Sequence, residues 1–329
     1  MNPGGGNLRL NSKEMNMIRA AELYYEQRLG QSEIAKILNC SRSTVSRLLA
    51  EAVESGIVRI YIKRPVEKFP SLAEKVKHHF KLKDAIVVSG GTSNDQAFYN
   101  VGFAAAEFLS QILHDHVVIG ISFGVTLSYM VQELFEYTFE YDGIEVIQLM
   151  GGLGFGDPAI DGPELAQKMA QALGGTYRYL QAPAVVDSPE IAQHLLNEKT
   201  IRETIQKAFQ AEITISSVGS LMDNLSSLER SGYIRKEERA TFQAKGAIGH
   251  SLSRMIDENG IPIHDPFNAR IVGAPLDVIK NAKWSIGIGS NPLKTQAFLA
   301  AVKDRQFNVL VIDDGTAREM LRLQAGTSE

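Results

Sequence analysis

With 329 residues, 44% of them hydrophobic and 22% charged, the chain exceeds one small compact unit several-fold and has the balance of a globular protein. Its net charge is −4, and a single cysteine, Cys40, excludes both an intramolecular disulfide and a cysteine-cluster metal site. No run approaches the roughly 18 apolar residues of a membrane span, so no membrane partner is expected.

The polar, glycine-rich opening MNPGGGNLRLNSKE lacks the apolar core of a signal peptide and reads as a loose tail over residues 1–14, which fits a cytoplasmic protein. Met17, Ile18, Ala21, Tyr24 and Tyr25 then recur at helical spacing. The next stretch, QSEIAKILNCSRSTVSRLLAEAVESGIVRIYIK, reads as two short helices, a tight turn and a strand. Ser32 is placed to cap the first helix, whose apolar face is Ile34, Ala35 and Leu38, and Asn39-Cys40-Ser41 interrupts the pattern. From Ser41 as cap, Val45, Leu48, Leu49 and Ala52 turn inward in the second helix, which leaves Arg42, Ser43, Thr44, Ser46 and Arg47 outward. Two helices joined this way, the second with a polar amino-terminal half, present base-reading side chains to the major groove. Gly56 is expected to stop the helix, and the alternating run from Ile57 to Lys63 to form a wing. From Gln31 to Arg64 six basic residues face three acidic ones, a local +3 on an acidic chain. Residues 15–63 are therefore expected to form a winged helix-turn-helix that binds double-stranded operator DNA through Ser32, Lys36, Arg42, Ser43, Thr44, Ser46, Arg47 and Arg59.

Arg64-Pro65 and Phe69-Pro70 mark a linker over residues 64–70, and a second domain over 71–329. Beyond it, helical patterns alternate with β-branched apolar runs at Ala85–Val88, Val117–Ile121, Ile144–Leu149, Tyr177–Leu180, Ile213–Val218, Trp284–Ile288 and Val309–Ile312. That alternation predicts an α/β domain with a mainly parallel sheet covered on both faces, and ligands collect outside the carboxyl ends of such strands. Four loops there are rich in glycine and small polar residues. The first runs from Gly120 to Leu127 and brings Ser122, Gly124 and Thr126 to a helix amino terminus, a natural anion site. The second runs from Gly151 to Asp157, the third from Ser216 to Ser220 with Gly219, and the fourth from Gly287 to Lys294. Lys294 opens a helix and can meet a phosphate as a point charge. His78-His79 and His114-Asp115-His116 have no partners at metal-ligand spacing, so no metal or other cofactor is expected. Trp284 reads as core, and Asp313-Asp314 as the cap of a following helix.

From about Met15 to about Leu323 the chain resembles the SorC/DeoR-type sugar-binding transcriptional regulators of bacteria. The resemblance rests on QSEIAKILNCSRSTVSRLL, IGISFGVTL, VIQLMGGLG, the Ala182–Ala184 APA, RSGYI at Arg230–Ile234, KGAIGHSL at Lys245–Leu252, and LKTQAFLAAV followed by NVLVIDDGTA. It implies a winged helix-turn-helix joined to a domain like glucosamine-phosphate deaminases and ribose-phosphate isomerases, binding a sugar or polyol phosphate without processing it. It also implies a homotetramer, a dimer of dimers, and control of a carbohydrate or polyol catabolic operon. By position, the effector site would comprise Ser122, Gly124, Thr126, Gly151, Gly152, Gly154, Gly219, His250, Leu252, Gly289, Ser290 and Lys294.

Two departures stand out. Gly289-Ser290 replaces a pair of glycines, and His250 stands where relatives carry an acidic residue after the GAxG glycine. A histidine can donate as well as accept and can charge near neutral pH, so the effector is expected to carry an acceptor there; the alternative is that His250 caps a helix beginning at Ser251. The competing function is a sugar-phosphate isomerase or deaminase, whose base would have to be Asp157, Asp161 or Asp187, none in a motif of those enzymes. A DNA-binding protein without any small-molecule ligand is disfavoured by the four loops.

Overall fold

The computed structural model describes residues 12–55, 57–58, 65–154, 158–222 and 225–325. The chain divides into two compact units between Pro65 and Val66.

The first unit is helical, with helices Ser12–Ala21, Gln31–Ile37 and Arg42–Glu54. Met17, Ala20, Leu23, Ile34, Ala35, Val45, Leu48, Leu49 and Ala52 close its core. The expected first-helix face is corrected by a π turn at Glu22–Glu26, whose wider winding shifts the phase. Leu23 goes inward at 2% exposure, while Tyr24 and Tyr25 stay exposed. Ser32 is not the cap of the second helix. Gly30 is, and the Glu33 carboxylate accepts from the Gly30 amide at 2.9 Å. Of the expected wing, only Ile57 and Val58 fall among the described residues; Gly56, Arg59 and Tyr61 lie outside them.

In the second unit the strands are β1 Asp84–Val88, β2 Val118–Ile121, β3 Glu145–Gln148, β4 Thr176–Arg178, β5 Ile213–Ser216, β6 Val218–Ser220, β7 Gly249–Ser251, β8 Arg254–Ile256, β9 Trp284–Gly289 and β10 Val309–Asp313. Seven form one sheet in the order β1-β10-β9-β5-β2-β3-β4, and each adjacent pair is parallel. β2, β5 and β10 are buried throughout, as strands covered by helices on both faces must be. The chain steps outward from β2 through β3 to β4, returns to β5, then steps the other way through β9 to β10. The order thus reverses between β2 and β5, where a doubly wound sheet opens a crevice at its carboxyl edge.

The expected run from Ile213 to Val218 is two strands. The chain leaves the parallel sheet at Ser217, and β6 pairs antiparallel with β7, which pairs with β8. His250 therefore lies in a strand, and the helix expected to begin at Ser251 is absent at that position. The stretch assigned to a linker is partly tied down. Lys68 bridges to Val88, and the Phe69 amide donates to the Val87 carbonyl at 2.8 Å. Among the described residues no helix is long and apolar enough to cross a membrane.

Candidate functional site

In the helix-turn-helix, the Ser41 side chain accepts from the Thr44 amide at 3.1 Å and meets the Ser43 and Thr44 hydroxyls at 2.7 and 2.8 Å. The cap thus fixes the start of the second helix and gathers three hydroxyls on its first turn. Asn39 adopts φ 49°, the left-handed turn residue that short polar side chains tolerate. Arg42, Ser43, Ser46 and Arg47 are exposed, Thr44 is half-buried, and Ser32 and Lys36 are exposed on the preceding helix. Val45, Leu48, Leu49 and Ala52 face inward as spaced.

In the second unit a cavity of about 370 Å³ opens where β2, β5 and β9 end. Of the expected effector residues, Ser122, Gly124, Thr126, Gly219, His250, Leu252 and Lys294 line it. Gly124 takes φ 135°, and from it the helix Val125–Leu134 starts without a side-chain cap, so its first amides face a site suited to an anion. Arg230 and Lys294 supply positive charge, and no described Asp or Glu lines the cavity. Burial, reinforced by the Arg230 guanidinium, draws the Lys294 pKa down to about 8.

His250 behaves differently from the expectation of a charged group. Burial above all, then Lys294 and Arg230, depresses its pKa to about 3, so the imidazole is neutral at physiological pH. Its Nε2 lies 3.2 Å from the Ser227 Oγ. The ring sits over its cross-strand partner Gly219, where an added Cβ would come within 1.8 Å of Nε2. Glycine at 219 is thereby the condition for histidine at 250.

Gly151, Gly152, Gly154, Gly289 and Ser290 do not line this cavity. A Cβ on Gly151 would meet the Ala182 carbonyl at 2.5 Å, and one on Gly289 would meet the Phe298 ring at 2.7 Å, so both are glycines because of close packing. Gly152 pairs with Pro183, Gly154 gives its amide to Asp161, and Ser290 is 1% exposed. Asp161 accepts from the Leu153, Gly154 and Gly162 amides and caps the helix Gly162–Ala172. Its oxygens are occupied structurally, Asp187 does not line the cavity, and Asp157 lies outside the described residues. Asp313 accepts from the Asn291 amide and from the Thr316 amide and hydroxyl, tying the Lys294 loop to the cap of the last helix. Trp284 is only partly buried, with the Lys83 ammonium 3.4 Å from its ring centre.

Sequence reasoning missed Ser227, Arg230, Ser231 and Asn94, which also line the cavity. The RSGYI signature contains two of these, but no spacing rule points a short polar helix at a distant loop.

Both units have counterparts among known proteins. A family described as "Putative sugar-binding domain" matches residues 64–322, and one described as "Homeodomain-like domain" matches residues 17–60. The chain is 31% identical to the deoxyribonucleoside regulator of Bacillus subtilis, covering 94% of this chain and 98% of that one. It is 27% identical to the transcriptional regulator LsrR of Klebsiella pneumoniae over 95% of this chain and 94% of that one. The full-length sorbitol operon regulator SorC from Klebsiella pneumoniae shares the fold with a TM-score of 0.71 at 24% identity, covering 95% and 100% of the two chains.

Proposed function

The chain belongs to the family of transcriptional regulators that carry a sugar-binding domain behind a helix-turn-helix head, and from that premise we propose that its effector is a phosphorylated sugar or polyol held in the Lys294 cavity. The observation that carries the proposal is electrostatic. Two cationic side chains, the Ser122 and Thr126 hydroxyls and an uncapped helix start share one cavity without a described carboxylate. A phosphate dianion matches that set, and a neutral sugar does not need it. Neutral His250 offers a donor to a carbonyl, carboxylate or second phosphate on the sugar only through the hydrogen that its tautomer leaves available.

Aldose isomerisation and amino-sugar deamination need a carboxylate base over the sugar carbon. Asp161 is committed to backbone amides, which favours binding without turnover. The head would use Arg42, Ser43, Thr44, Ser46 and Arg47 at base edges and phosphates, with Ser32, Lys36 and Arg59 on the backbone. Control would follow from population shift in a cytoplasmic tetramer, a dimer of dimers, in which the effector prefers one of two states that present the heads differently to an operator of the carbohydrate operon.

Thermal-shift screening against pentose, hexose and polyol phosphates tests the reading; the Bacillus relative's name is the reason to begin with pentose phosphates. A concentration-dependent stabilisation that Lys294→Ala removes, with operator binding retained in gel shifts, is the expected result. Turnover of any compound in the panel would move the cavity to the enzyme class.

A further inference from the structure

The cavity wall that sequence reasoning missed is held by a side chain that does not line the cavity. The short helix Ser227–Arg230 and the following Ser231 put Ser227, Arg230 and Ser231 on the wall. Leu153 is on the wall too, from the glycine-rich loop after β3. Between these segments stands Tyr233. Its hydroxyl donates to the Leu153 carbonyl at 2.8 Å and to the Gly152 carbonyl at 3.2 Å. The loop it grips is fixed from the other side, because Asp161 accepts from the Leu153 and Gly154 amides at 2.9 and 3.0 Å. Next to Asp161, the Ile160 carbonyl accepts from the Gly124 amide at 3.0 Å, at the start of the helix suited to the phosphate. Hydrogen bonds joined by short stretches of backbone thus connect Gly124, through Ile160-Asp161 and the loop, to Tyr233 and the Arg230 segment.

We propose that Tyr233 is a positioning residue for the effector: its phenol latches the segment that carries Arg230 to the loop that carries Leu153, and so sets where the guanidinium meets the ligand. This rests on the reading of the cavity as an effector site. Tyr233 is half-buried, and burial together with the neighbouring Asp161 carboxylate keeps the phenol protonated beyond its ordinary range, so it remains a donor at every physiological pH. The latch has one hydroxyl against two carbonyls, so Tyr233→Phe removes it while the ring stays in place. Other tethers of the same segment, Ser227 to His250 and Glu229 to Arg239, stay in that variant.

Two measurements on the full chain test the proposal. Hydrogen exchange without ligand reads the latch itself: Tyr233→Phe is expected to speed exchange at residues 152–154 and 227–233 and leave the head unchanged. Unchanged exchange overturns the latch. Titration with ribose 5-phosphate, 2-deoxyribose 5-phosphate, glucose 6-phosphate and fructose 1,6-bisphosphate reads the consequence. For whichever binds wild type most tightly, Tyr233→Phe and Arg230→Ala are each expected to weaken affinity about tenfold, and the double variant hardly more than either alone. Additive losses, or faster exchange with undiminished affinity, overturn positioning through Arg230. Wild-type protein that binds none of the four, with faster exchange in Tyr233→Phe, overturns the effector reading and the positioning role together while leaving the hydrogen bond established.

Discussion

Two ionisable side chains in the cavity are held away from their ordinary charge behaviour, and they have opposite consequences. His250 has its pKa lowered to about 3 from an ordinary 6.5, so the unfolded chain takes up a proton that the folded chain refuses. Stability attributable to this residue is complete above pH 6.5 and is lost as the pH falls from there toward 3. Between pH 7 and 5 the loss amounts to about 2 kcal/mol. Denaturant titrations at the two pH values should show it, and a His250→Gln variant should lose most of that pH sensitivity; an equal slope in the variant would assign the acid sensitivity elsewhere. Lys294 has its pKa lowered to about 8, so its charge is present at neutral pH and fades as the solution becomes alkaline. A phosphate monoester becomes a dianion above a pH of about 6. Affinity for a phosphorylated effector is thus expected to peak between pH 6 and 8 and to fall on the alkaline side. Calorimetric titration across that range checks it, and flat affinity up to pH 10 would take Lys294 out of contact with the ligand.

At the scale of elements, the recognition helix depends on one cap. Ser41 serves the Thr44 amide and gathers the neighbouring hydroxyls. Ser41→Ala is expected to cost the first unit about 1 kcal/mol, and to weaken operator binding if the same turn carries the proposed DNA contacts Arg42, Ser43 and Thr44. Circular dichroism melts and gel shifts read the two effects. In the second unit the antiparallel pair β6 and β7 brings Gly219 under the His250 ring. Gly219→Ala should displace the imidazole and lower the melting temperature by several degrees, whereas the same change in a His250→Ala background should be nearly neutral. Similar losses in both backgrounds would show that backbone strain, not the ring, decides residue 219. The parallel strands other than β4 were legible in the sequence because strands buried on both faces must be continuous apolar runs, whereas β4 is an edge strand exposed at all three residues. The antiparallel sheet was not legible. Its strands have three residues each, such as Gly249-His250-Ser251, too short and polar to carry a period of two. Nor was the π turn at Glu22–Glu26 legible, since one wider turn leaves residue types unchanged while moving the buried face. Ser122, Gly124, Thr126 and Lys294 fell at the cavity because the loops leaving β2 and β9 lie at the carboxyl ends of buried strands, but the same glycine signal at Gly151 and Gly289 marks close packing instead. Ser227 and Arg230 were hidden because they reach the cavity from a segment distant in sequence.

At the scale of the whole molecule, each unit has its own apolar core, a small helical one around Leu23, Ile34 and Leu49 and two larger clusters on the faces of the parallel sheet. Separate cores allow each part to bind its own ligand, so regulation has to come from a difference in effector affinity between the states that do and do not hold DNA. Thermodynamic linkage then fixes a quantitative relation. If the effector changes operator affinity by some factor, operator DNA must change effector affinity by the same factor, in the same direction. A factor between about 5 and 150 is the ordinary range for such coupling. Residues 66–329 expressed alone should bind the effector with the affinity that the full chain shows without DNA, and should not respond to operator at all. Fluorescence anisotropy for DNA and calorimetry for effector, each repeated with the other ligand saturating, supply the two factors. Unequal factors at equilibrium would mean that a third species, such as a different assembly state, enters the cycle, and sedimentation at each corner would then identify it. Equal factors of one would leave the cavity occupied and the head indifferent, and regulation by this effector would be excluded.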